Sequence, residues 1–105
     1  MSSLINRNVV VAGHRTSMRL EPEMWDALAD VCRREKCTIR DICTLVDTQR
    51  GASSLTSAVR VFVLAYFRSV ARNLAAEGNG VMARSALAEA GEAVASIKNN
   101  ATEAA

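Results

Sequence analysis

The chain has 105 residues, half of them hydrophobic but few of them aromatic, and a formal net charge of +2, which suits one domain with an aliphatic core and at most a tail. One proline and five glycines exclude an all-β fold rich in tight turns, and a single histidine with no Gly-rich phosphate loop, nucleophile motif or paired carboxylates leaves no basis for an enzyme. Residues 1–20 hold Arg7, Arg15 and Arg19 and no acid, residues 51–76 hold Arg60, Arg68 and Arg72 and no acid, and the acids gather in 21–50 and 77–105; this uneven spread fits a local anionic partner better than a general polycation.

Residues 1–12 read as a flexible arm, with Val9-Val10-Val11 available to extend the neighbouring ribbon or pack on it. The first regular element is Arg15-Thr16-Ser17-Met18-Arg19-Leu20, where polar Arg15, Ser17 and Arg19 alternate with Thr16, Met18 and Leu20. A period of two predicts a strand with one wet and one buried face. A lone strand cannot stand in water, because its backbone groups need a neighbour and its apolar face needs a lid. No strand of similar quality occurs downstream, so the economical partner is a second copy of the chain. The product is an antiparallel ribbon whose wet face carries two arginines per strand and fits a DNA major groove. A ribbon that only holds a dimer together is the bland alternative, since such arginines also discourage edge aggregation.

Pro22 suits a helix's first turn, and Glu21 and Glu23 favour its positive end. Trp25, Leu28, Val31 and Cys32 recur at helical spacing, with Arg33, Arg34 and Lys36 closing the last turn, so a helix is predicted over Pro22–Lys36. Thr38 followed by Asp41 is a capping-box start, and Ile42, Cys43, Leu45 and Val46 supply the apolar face of a second helix from Ile39 to Arg50, stopped by Gly51. Cys32, Cys37 and Cys43 are odd in number and match no CxxC or zinc framework. They read as reduced core residues, with no metal and no cofactor implied.

Ser53-Ser54 offers a cap for a third helix from Leu55 to Leu74, which is apolar almost all round and must be buried on more than one side. In so short a chain, a partner subunit is the expected second wall. The most apolar stretch, Ala58–Phe67, is interrupted by Arg60 and falls far short of the ~20 residues of a membrane span, and the first residues carry no signal-peptide run. A soluble cytoplasmic protein is expected. Glu77-Gly-Asn-Gly is a breaker, Val81–Lys98 an Ala-rich, weakly anchored helix, and Asn99–Ala105 a disordered end. The domain organisation is thus an arm over 1–12, a dimerisation and binding domain over 13–76, and an extension over 77–105.

Gly13-His-Arg-Thr-Ser-Met-Arg-Leu-Glu-Pro-Glu-Met-Trp-Asp-Ala-Leu, and later Ser57-Ala-Val-Arg-Val-Phe-Val-Leu, resemble the ribbon-helix-helix superfamily of DNA-binding proteins, in the bacterial branch that opens HRTS…LEPE-W. The resemblance covers roughly Gly13 to Phe67. It departs where Gly51-Ala-Ser-Ser breaks the second helix and starts a third. The resemblance implies a mainly α fold with one short N-terminal strand: an intertwined homodimer with an intermolecular two-stranded ribbon, plus the additional helix. It places Arg15, Ser17 and Arg19 on bases and Met18, Leu20, Trp25, Leu28, Ile42, Val46, Phe62 and Tyr66 in the dimer core. A DNA phosphate would sit on the backbone N–H groups of Ile39 and Arg40 beside the Thr38 hydroxyl, with His14 and Arg7 as further phosphate contacts. The implied function is sequence-specific binding of double-stranded DNA by a homodimer, as a transcriptional repressor or autoregulator, with dimers side by side on longer sites. A second reading stays open: an antitoxin-like or adaptor protein whose residues 81–105 fold on a protein partner.

Overall fold

The two-residue turn Ala12-Gly13 sets the start of the architecture. Both residues have positive φ, 50° and 82°, the pair of left-handed conformations that closes a tight hairpin in step with strand twist. A Cβ built on Gly13 would meet nothing within 4 Å, so backbone conformation alone favours glycine there. In the computed structural model, which describes residues 3–77 and 85–104, the turn joins β1 (Ile5–Val11) to β2 (His14–Leu20). The strands are antiparallel, with Val11 opposite His14 at the turn and Ile5 opposite Leu20 at the open end. The expected arm is therefore corrected over residues 5–11: it is a strand, and it is β1 of the same chain that pairs with β2.

Four helices complete the chain: α1 (Pro22–Glu35), α2 (Ile39–Gln49), α3 (Leu55–Glu77) and α4 (Ala86–Ala104). Helix α1 stops one residue before the expected Lys36, which takes the left-handed conformation (φ 57°). The Cys37 N–H donates to the Cys32 carbonyl at 3.0 Å across that end, as such caps require. At the start of α2 the capping box closes in both directions. Asp41 N–H donates to Thr38 Oγ1 at 3.1 Å, and Thr38 N–H donates to the Asp41 carboxylate at 3.0 Å. Gly51, at φ 58°, turns the chain into α3, whose first turn is capped by Ser54 Oγ accepting from Ser57 N–H at 3.1 Å.

The core is built inside one chain. Met18 and Leu20 from the ribbon's inner face, Trp25 and Leu28 from α1, Ile42 and Val46 from α2, and Phe62 and Tyr66 from α3 are each at most 3 % exposed. The second wall of α3, expected from a partner, is α4. Its Ala90 and Val94 are fully buried, and Glu89 accepts an ion pair from Arg72 of α3 at 2.7 Å. The expected weak anchoring is corrected for a physical reason: small residues such as Ala90 let two helix backbones approach closely, which a reading by large aliphatics undervalues. The helix also runs through Ala104, past the expected disorder from Asn99, whereas the breaker glycines and Val81-Met82 lie outside the described residues. Among the described residues no helix is long and apolar enough to cross a membrane, and no group of His, Cys, Asp or Glu side chains could hold a metal. The three cysteines are free, and burial pushes the Cys32 and Cys43 thiols up to about 11.

Two carboxylates fasten element starts. Glu21, at the N-cap of α1, lies below its usual 4.5 because its own backbone N–H and then the Arg60 guanidinium, 3.0 Å away, bond it. Asp41 lies below its usual 3.8 because of the Thr38 backbone N–H and then the Thr38 hydroxyl. A folded pKa below the unfolded one gives stability that is complete above the unfolded value and is lost as pH falls through the folded value. Thermal unfolding is therefore expected to shift downward below pH ~4, and a Glu21→Gln, Asp41→Asn double variant should lose less of its midpoint between pH 5 and pH 3 than the parent.

Candidate nucleic-acid interface

Directly opposed residues of an antiparallel pair share a face, so the register sorts the ribbon's side chains. Asn6 with Arg19, Asn8 with Ser17, and Val10 with Arg15 point outward, and all six are exposed. The Ser17 hydroxyl donates to Asn8 Oδ1 across the strands at 3.0 Å. Behind this face lie the buried side chains of Met18, Leu20 and Val11. Sequence parity alone found Arg15, Ser17 and Arg19 and missed Asn6, Asn8 and Val10, whose signal is the hairpin turn at Ala12-Gly13. The completed face carries side chains able to bond base edges: arginine can bond guanine O6 and N7 together, asparagine can do the same with adenine N6 and N7, and an exposed valine can meet a thymine methyl.

The backbone of β2 adds a second property. In a two-residue hairpin the closing pair exchanges both hydrogen bonds, so Val11–His14, Val9–Thr16 and Arg7–Met18 bond inward. Arg15, Ser17 and Arg19 therefore direct their N–H and C=O groups away from β1. The sheet has two strands, and among the described residues no strand covers that edge.

The expected phosphate residues divide. Arg7, Ile39 and Arg40 come together along a shallow groove of 320 Å³ between β1 and the start of α2, with Trp25 in its floor. Arg7 lies on the inner-face parity, its guanidinium 4.8 Å above the Trp25 ring, an arrangement that holds the charge in place. Thr38, Ile39, Arg40 and Asp41 line an adjoining hollow. The capping box engages the N–H groups of Thr38 and Asp41, and Ile42 N–H donates to the Thr38 carbonyl at 3.2 Å. The first-turn donors left for a ligand are those of Ile39 and Arg40. An anion there would share the helix end with the Asp41 carboxylate, offset by Arg7 and Arg40. His14 is exposed beside the hairpin turn, opposite Val11, and does not join this groove.

The family described as the ribbon-helix-helix domain matches the chain over residues 4–67, well over half its length. The match takes in both strands, α1, α2 and the first half of α3; α4 lies beyond it. Comparison with curated proteins and with solved structures finds no match.

Proposed function

Because the chain belongs to the ribbon-helix-helix domain family, we propose that it binds double-stranded DNA sequence-specifically as a homodimer and acts as a transcriptional repressor or autoregulator. The observation that carries this reading is the ribbon's outer face, where Arg15, Ser17, Arg19, Asn6 and Asn8 stand exposed on one side of a hairpin whose other side is core. Two copies meeting antiparallel along their open β2 edges bring four arginines together about a two-fold axis, and a major groove accepts such strands. The N–H groups of Ile39 and Arg40, with Arg7 beside them, then fix the register on the phosphates. The adaptor reading has less support, since α4 already buries Ala90 and Val94 within the chain.

Selection of bound sites from random duplex DNA by the full chain tests the proposal. A pseudo-palindromic site is expected to enrich; equal retention of all sequences would overturn sequence-specific binding. On the enriched site, Arg40→Ala is expected to weaken binding to every sequence alike and to lower the slope of log affinity against log salt by about 1 per site. A change confined to one base position would instead move Arg40 into the base-reading group.

A further inference from the structure

The end of α1 brings two thiols together by a backbone device. Lys36 takes the left-handed conformation, and the Cys37 N–H reaches back over the last turn to the Cys32 carbonyl at 3.0 Å. A helix closed in this way turns the side chains of those two positions toward each other, and an apolar contact there commonly seals the end. In this chain both are cysteines, and their thiols share a hydrogen bond. The backbone bond also limits how far apart the two residues can stand. With standard bond lengths their Cα atoms lie within about 7 Å, the reach of a disulfide.

Access divides the pair. Cys32 is 9 % exposed and Cys37 is half-buried, so a reagent from solution meets Cys37 first and Cys32 stands behind it. Cys43 of α2 is fully buried near Cys32, and no backbone motif aligns it with either of the others. An aliphatic pair at this cap would bury more apolar surface, so packing alone does not call for two thiols.

We propose that Cys32 and Cys37 are a modification site, closing into a reversible disulfide by exchange with small soluble disulfides. The Cys37 thiolate attacks one sulfur of the incoming disulfide, whose S–S bond breaks and whose other half leaves as a thiol with the proton. The Cys32 thiolate then attacks the Cys37 sulfur of the mixed disulfide, and the second half leaves in the same way. The two protein thiols lose two electrons and two protons, and one small disulfide gains them as two thiols. Burial pushes both protein thiols up, which slows each attack and leaves the end point unchanged. The pair therefore follows the standing disulfide content of its surroundings and not brief pulses. Cys37 is joined directly to Thr38, so the closed form ties the last turn of α1 to the cap of α2.

Equilibration of the full chain with mixtures of reduced and oxidised glutathione tests the site. Acid quenching, alkylation and peptide mass mapping read which sulfurs are joined. A bond between Cys32 and Cys37 is expected, in the parent and in Cys43→Ala alike. Its half-oxidation point is the ratio of oxidised glutathione to the square of reduced glutathione at which half the chains are closed. In Cys43→Ala that point is expected at least about tenfold lower for the folded protein than in concentrated urea, where the backbone motif is gone. A half-oxidation point no lower in the folded chain, a bond that runs through Cys43, or a glutathione held on Cys37 without transfer to Cys32 would each overturn the proposal. No DNA enters the measurement, so its outcome is independent of the DNA-binding reading.

Discussion

Replacing Arg15 and Arg19 together with alanine is expected to abolish sequence-specific DNA binding and to leave the folded protein intact. Both side chains are exposed on the ribbon's outer face, and neither takes part in the ion pairs that join elements among the described residues, so their removal costs the fold little. Each bidentate contact to guanine contributes ~1–3 kcal/mol of discrimination. Four of them in a homodimer are comparable with the whole ~4–10 kcal/mol that separates specific from non-specific binding. Gel shifts on the selected site, with melting curves alongside, read the result. An Arg15→Lys, Arg19→Lys variant separates charge from geometry. It keeps the cations but not the planar fork, so it should retain salt-dependent binding to any duplex and lose preference for the selected site. Affinity of the alanine variant equal to that of the parent would remove the ribbon from the groove.

The part of the fold that was legible was the part with a clean period. Arg15 to Leu20 alternates without a fault, and the structure places Met18 and Leu20 inside and Arg15, Ser17 and Arg19 outside. Strand β1 keeps the same two-sided register, but its inner parity is interrupted in letters and in burial, since Arg7 is exposed. Arg7 stands on the inner parity, where it rests over Trp25, and Val9-Val10-Val11 presents an unbroken apolar run. A cation whose stem and plane cover an aromatic ring reads as polar in sequence and behaves as part of the packing. The turn was hard to see for a related reason, because Ala12 occupies a positive-φ position that Asn, Asp or Gly usually fills. Asn6 and Asn8 could join the candidate interface only once the register was known.

The third helix teaches a different limit. An apolar circumference correctly demanded walls on more than one side, but an unmet need does not say which chain meets it. Helix α4 meets most of it through Ala90 and Val94, just as β1 meets the first need of β2. What remains open after both are satisfied is narrower: among the described residues it includes one edge of β2 and the exposed Leu64 and Leu74 of α3.

Trp25→Ala is expected to destabilise the chain by ~3–5 kcal/mol, a large share of the ~5–15 kcal/mol that holds a domain of this kind folded. The ring is 3 % exposed. Its Nε1–H donates to the Ile5 carbonyl at 2.9 Å, which ties α1 to the open end of the hairpin, far from the turn. Removing it leaves a cavity, loses the bond to the Ile5 carbonyl and leaves Arg7 with nothing to lie on. Trp25→Phe keeps most of the apolar area and loses the bond, so a cost of about 0.5–1.5 kcal/mol is expected, with faster amide exchange confined to β1 and unchanged protection in α3. Urea unfolding measures the first pair of values and exchange the second; a cost below ~1 kcal/mol for the alanine variant would mean that α1 does not hold the ribbon. The same side chain floors the groove that joins Arg7 to Ile39 and Arg40. Even where Trp25→Phe folds fully, the angle between the ribbon's outer face and the start of α2, the two surfaces proposed to meet bases and phosphates, is less firmly set, so DNA affinity should fall by more than the small loss of stability explains.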